Sequence, residues 1–137
     1  MTIPTTLLPS GKIKEDPVIL MIEDSAADAV IIQSRIEEVF SGSKILVATS
    51  LSAAYDLYRR EMIDIVLLDL NLPDGYGAKT VEEVRRFCKR QPIIVLSDMD
   101  GGIEAHNARQ FGAVEFMSKN SINSDSFASI LRGSLIK

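Results

Sequence analysis

Residues 65–75 read IVLLDLNLPDG. Ile65, Val66, Leu67 and Leu68 follow one another with no polar residue between them, leaving no face for water. The run therefore reads as a strand covered on both sides, the pattern of a parallel sheet between helices. It stops at Asp69, and Asn71, Pro73, Asp74 and Gly75 supply turn chemistry. An ionised carboxylate at the end of a buried strand is costly unless it is paired, binds a cation or does chemistry.

The same pattern recurs along the chain. Short apolar runs at 18–22 (VILMI), 44–48 (KILVA), 92–97 (PIIVLS) and 113–117 (AVEFM) join 65–69 as five predicted strands. Helix-length segments separate them. Ala29, Ile32, Ile36 and Val39 or Phe40 form one helical stripe, and Ser25 with Asp28 three residues on predicts a capping box with Asp in place of Glu. Ser50 is a candidate N-cap for a helix over 51–61. Residues 77–90 set Val81, Val84 and Cys88 on one face, and 102–112 and 124–136 read as two more helices. Five strands alternating with five helices predict an α/β domain with a parallel sheet and right-handed crossovers. Residues 1–16, with Pro4, Pro9, Ser10 and Gly11, read as a disordered extension before a domain over 17–137.

Composition narrows the function. The 137 residues suit one domain, and a 46% hydrophobic, 25% charged make-up is that of a globular one. A net charge of −4 with no basic run argues against a nucleic-acid surface. No apolar segment is long enough to span a membrane, and the start lacks the basic lead of a secretory signal. Cys88 has no second cysteine to pair with, so a reducing cytoplasmic setting is expected.

In such sheets, functional groups gather at the carboxyl ends of the strands, beside the switch in strand order. Those ends supply Glu23-Asp24, Asp69 with Asn71, Ser97-Asp98, and Phe116 leading into Ser118-Lys119; strand two ends in Ala48-Thr49-Ser50, with nothing charged. Three clustered carboxylates repel one another, and one lysine does not neutralise them. A hard divalent cation such as Mg²⁺ fits an all-oxygen donor set. Ser97 and Lys119 suit the oxygens of a transferring phosphoryl group, and Asp69 suits a carboxylate nucleophile.

Taken singly, each residue has a plainer reading. Asp69 would cap a turn, Glu23-Asp24 would be a solvated edge at a helix N-terminus, Ser97 a turn residue and Lys119 a surface charge. Their joint placement carries the argument. His106 lies off the rim, Cys88 and Phe116 read as core, and Tyr55 and Tyr58 as partly buried. Asp100-Gly101-Gly102 lacks the Lys-Ser/Thr of a phosphate-binding loop and reads as a hinge.

Over residues 17–137 these motifs together resemble a response-regulator receiver domain of two-component signalling, single-domain type. The resemblance implies a flavodoxin-like, doubly wound sheet of order 2-1-3-4-5 with five helices. It implies that Asp69 accepts a phosphoryl group from a histidine kinase or histidine phosphotransfer protein. Mg²⁺ would be held by Glu23, Asp24, Asp69 and the main-chain carbonyl of Asn71, with Ser97 and Lys119 on phosphoryl oxygens. Ser97 and Phe116 would form the switch, changing the face of helix four, strand five and helix five toward a downstream protein. Such a domain phosphorylates and dephosphorylates itself without being a turnover enzyme.

The chain departs from the family pattern at three places. Asn120 follows Lys119 where proline is usual, Asp98 replaces a small neutral residue, and Phe116 replaces the commoner tyrosine. At Asn120 the alternatives are a non-proline cis bond, at ~2.5–4 kcal/mol, or a rebuilt loop. The chain ends near the end of helix five, which predicts that no output domain follows. Three competitors remain. A phosphatase of the haloacid-dehalogenase type needs a second acid where Asn71 stands and its nucleophile on the first strand, and a nucleotide-binding module needs glycine after strand one. A module that keeps the fold but acts without phosphorylation is the third.

Overall fold

The computed structural model describes residues 16–98 and 101–136. The expected extension lies, apart from Asp16, outside the described residues, as does Asp100 of the expected hinge. Five long strands, β1 (Val18–Ile22), β2 (Lys44–Ala48), β3 (Ile65–Leu68), β6 (Ile93–Ser97) and β7 (Glu115–Ser118), form one parallel sheet. Their order is β2-β1-β3-β6-β7, which is the expected 2-1-3-4-5 once a small hairpin is left out of the count. That hairpin, β4 (Asn71–Leu72) against β5 (Gly75–Tyr76), was not expected. Two-residue strands carry no periodicity to read.

Five helices cover the sheet: α1 (Ala26–Val39), α2 (Leu51–Arg60), α3 (Lys79–Arg85), α4 (Ile103–Gln110) and α5 (Asp125–Ser134). Because side chains alternate along a strand, each central strand feeds two cores. Ile19, Met21, Ile65, Leu67, Ile94 and Leu96 pack with Ile32 and Ile36 of α1 and Phe127 and Leu131 of α5. Leu20, Ile22, Val66, Leu68, Ile93 and Val95 pack with Ala54 of α2, Val81 and Val84 of α3, and Ala105 and Ala108 of α4. β2 is the exception to two-sided burial: as an edge strand it leaves Lys44 and Val47 exposed.

Serines start three of the helices. Ser25, Ser50 and Ser124 accept from the N–H groups of Asp28, Ala53 and Phe127 at 3.2, 3.1 and 3.3 Å. The capping box at α1 forms only in this half, because the Asp28 carboxylate is engaged elsewhere. α3 is shorter than the predicted 77–90. At its end the Arg86 N–H is shared between the carbonyls of Glu82 and Glu83, which tightens and stops the helix.

Just before that point, Arg85 spends its guanidinium on the backbone. It donates to Gly112 O at 2.7 and 3.1 Å, to Gln91 O at 2.7 Å and to Cys88 O at 3.1 Å. One side chain thus ties the segment entering β6 to the segment entering β7. Between β3 and α3, Gly77 takes φ +77° while its N–H donates to Leu70 O at 2.7 Å, closing the turn. Among the described residues no helix is long and apolar enough to cross a membrane.

Candidate functional site

The parallel register brings the carboxyl ends of β1 and β3 side by side, Ile22 opposite Leu68. The next residues extend the match: Glu23 N–H donates to Ala48 O at 2.9 Å, and Asp69 N–H donates to Ile22 O at 3.0 Å. Their carboxylates therefore leave the sheet at one rim. Glu23, Asp24 and Asp69 each place one oxygen within 4.8 Å of the other two. Glu23 is 2% and Asp69 7% exposed, while Asp24 faces solvent.

Lys119 enters from the end of β7. Its Nζ stands 2.7 Å from Glu23 Oε1, 2.8 Å from Asp28 Oδ2 and 3.7 Å from Asp69 Oδ2. Burial acts to lower the lysine pKa, but the hydrogen bonds to Asp28 and Glu23 and the charges of Asp69 and Glu23 outweigh it. The ammonium is held above the ordinary lysine value. At Asp69, burial comes first, followed by a hydrogen bond to Glu23 and the charge of Glu23. Together they push the carboxyl up to about 7, against the pull of Lys119 and of a hydrogen bond from the Asn71 N–H.

Buried carboxylates carrying more negative charge than Lys119 offsets, with oxygen donors alone, fit a hard divalent cation. Glu23, Asp24 and Asp69 are the residues that would hold it. Ser97, at the end of β6 and 4% exposed, lines a cavity of about 90 Å³ with Asp69, Leu70, Asn71, Tyr76 and Asp98. The expected phosphate-handling set, Asp69, Ser97 and Lys119, thus comes to one rim, with Asn71 beside it.

Phe116 lies deeper than expected. β7 runs on to Ser118, which pairs with Ser97, so Phe116 sits two residues inside the rim, opposite Val95 and buried. The loop after Lys119 is rebuilt. No cis peptide bond occurs among the described residues, and Lys119–Ser121 forms a 3₁₀ turn capped by Ser118, whose hydroxyl accepts from Asn120 N–H at 3.1 Å. Asp98 is exposed and borders both the Asp69 cavity and a second cleft of about 300 Å³ beside Lys119. His106 is exposed, Cys88 buried, and Tyr55 and Tyr58 rest edge-on against Phe87 at 5.5 Å.

Asp28 is the site residue that sequence reasoning missed, having been read as a capping partner alone. An acid in the first turn of the helix that follows the Glu23-Asp24 pair was the available signal, since that turn borders the same rim.

Comparison with known proteins follows the same lines. The family model described as response regulator receiver domain matches residues 19–131. The cell cycle response regulator CtrA of Brucella ovis is 35% identical over 102 residues, covering 74% of this chain and 43% of CtrA. The chain therefore spans less than half of that relative. Among solved structures, the non-phosphorylated HemR receiver domain of Leptospira biflexa superposes with a TM-score of 0.73 at 29% identity, over 89% of this chain and 97% of that one. A Burkholderia pseudomallei response regulator with a phosphorylated aspartic acid, a calcium ion and citrate shares the fold. Its TM-score is 0.72 at 22% identity, over 85% of this chain and 66% of that one.

Proposed function

Since the chain belongs to the response regulator receiver domain family, a family of two-component signalling modules, we propose that Asp69 is its phospho-acceptor and a histidine kinase or histidine phosphotransfer protein its donor. One observation carries this reading. The carboxylates that end β1 and β3 share a rim with Lys119 from the end of β7 and Ser97 from the end of β6. In the transfer, an Asp69 oxygen attacks phosphorus as the bond to the donor nitrogen breaks, leaving an acyl phosphate and a free imidazole. Ser97 donates to one phosphoryl oxygen, and Lys119 offsets the charge of another. Glu23, Asp24, Asp69 and the Asn71 carbonyl would hold Mg²⁺. When bound, Mg²⁺ supplies charge neutralisation for the phosphoryl oxygens.

The output is a shift between two states of the face formed by α4, β7 and α5, with Ser97 and Phe116 repacking between them. The domain is proposed to extend over 17–137, to work in the cytoplasm and to act through protein contacts, in keeping with its −4 charge. It serves as a signalling switch, with uptake and loss of the phosphoryl group as its own chemistry.

The test is intact-protein mass after incubation with acetyl phosphate and Mg²⁺, with Asp69→Ala alongside. One added phosphoryl group on the wild type, absent in the variant and absent without Mg²⁺, is the expected result. An equal phosphate load on Asp69→Ala would remove the assignment. If neither acetyl phosphate nor beryllofluoride modifies the wild type, the interaction module without phosphorylation becomes the reading.

A further inference from the structure

Lys119 does not stand where charge alone would put it if Asp69 were its main partner. An ammonium has three N–H donors. Two are committed at hydrogen-bond distance, to Glu23 Oε1 at 2.7 Å and Asp28 Oδ2 at 2.8 Å, while Asp69 Oδ2 is left at 3.7 Å. Glu23 is fixed at the end of β1, where its other oxygen accepts from Ser25 N–H at 3.2 Å. Asp28 holds the same ammonium from a second element, the first turn of α1.

The backbone under Lys119 is tied to the same helix. Arg35, two turns further along α1, donates to Ile122 O at 2.6 Å and to Ser124 O at 3.1 Å. These contacts fix the segment that follows the 3₁₀ turn. α1 therefore holds both the tip of Lys119 and the loop that carries it. The Asp28 side chain is 36% exposed and the Lys119 side chain 10%, so the pair sits at the mouth of the rim.

We propose that Asp28 is a positioning residue that holds the Lys119 ammonium between Glu23 and α1, and that this hold limits how fast Asp69 takes up a phosphoryl group. The inference rests on the phospho-acceptor reading and adds a residue to it. Without the Asp28 carboxylate, the anions nearest Lys119 are Glu23 and Asp69, and the ammonium settles between them. There it meets the charge that builds on the incoming phosphoryl oxygens without first breaking an ion pair. With Asp28 present, that ion pair is strained or broken during each uptake.

The experiment compares initial rates of phosphorylation by acetyl phosphate in saturating Mg²⁺ for the wild type, Asp28→Asn, Asp28→Glu and Asp98→Asn. Asp98 borders the same cleft and carries the same charge, but makes no salt bridge to Lys119 in this structure. Asp28→Asn is expected to rise several-fold, Asp28→Glu to stay near the wild type, and Asp98→Asn to rise less. Asp28→Ser removes the same carboxylate and stands in should Asp28→Asn fold poorly.

Equal gains for Asp28→Asn and Asp98→Asn would reduce the effect to loss of a negative charge that repels the donor, and would overturn the proposal. So would an unchanged or slower Asp28→Asn. A purely structural role lowers the unfolding midpoint of the variant without raising the rate. If the wild type itself takes up no phosphate, the functional reading fails first and the positioning role with it.

Discussion

Lys119 and Asp69 face each other across 3.7 Å with Glu23 between their influences, and the charge balance of that trio decides what either can do. The Asp69 pKa, near 7 when folded, stands above its ordinary 3.8. The folded state therefore keeps a proton that the unfolded chain has released. Stability from that proton is complete below the unfolded value and is lost as pH rises through the folded one. With chelator present, the unfolding free energy of Asp69→Asn relative to the wild type should increase from about pH 4 to about pH 7 and level off above it. A flat difference in urea titrations would reject this cause.

Lys119→Ala leaves Glu23 buried and unpaired, a change that costs about 3–5 kcal/mol where a buried pair is broken. Mg²⁺ should return part of that stability, because it supplies the missing positive charge; a loss unchanged by Mg²⁺ would argue against the carboxylates as its ligands. The variant should also fail to switch even where some phosphate is accepted. That outcome is read as an unchanged nuclear magnetic resonance spectrum for α4 and β7 after acetyl phosphate treatment. Asp69 could be read from sequence because four apolar residues precede it on a strand with no wet face. Asp28 gave only a weaker signal, its place in the first turn of α1, since its partner lies 91 residues away and only the rotation of α1 makes them meet.

At the scale of elements, the unexpected hairpin has an effect beyond its own two short strands. It carries Asp74 to the start of α2, where its carboxylate accepts from Leu51 N–H at 2.8 Å and Ser52 N–H at 3.2 Å. Ser50 accepts from Ala53 N–H, so three of the orphan donors at that helix end are satisfied. Asp74→Ala should lower the unfolding free energy by about 1 kcal/mol, the usual worth of a cap, with Asp74→Asn recovering part of it. Urea denaturation would check both. A Cβ at Gly75 would come within 2.7 Å of Leu51 Cδ1, so a larger residue there needs the tip of the Leu51 side chain to shift.

The strands were legible because β-branched runs announce themselves, and so were the serine caps. The hairpin and the loop after Lys119 were not. Each depends on which of several turn geometries the packed neighbours allow, and Asn120 alone is compatible with more than one.

For the whole molecule, two cores share one sheet, so damage on either face is felt by the same strands. Cys88 reports on this from the face that packs α2, α3 and α4. It is fully buried, and burial raises its thiol pKa. Alkylation should therefore be slow in native buffer and become fast across the urea unfolding transition; rapid native labelling would show that this core opens locally. Phe127→Ala, on the opposite face, should cost about 3–5 kcal/mol by leaving a void among Ile36, Leu67 and Leu131. Its unfolding should remain a single transition, because the sheet couples both halves.

The Arg85 clamp gives the molecule a mechanical polarity. It grips β6 and β7 at their entry ends, while Ser97 and Lys119 stand at the exit ends of the same two strands. A strand fixed at one end behaves like a reed in its mount: a push at the tip bends the free length and dies out at the root. Under the proposed switch, motion starting at the rim would be turned sideways into α4 and α5, the helices that pack against this half of the sheet, and would not slide the sheet as a whole.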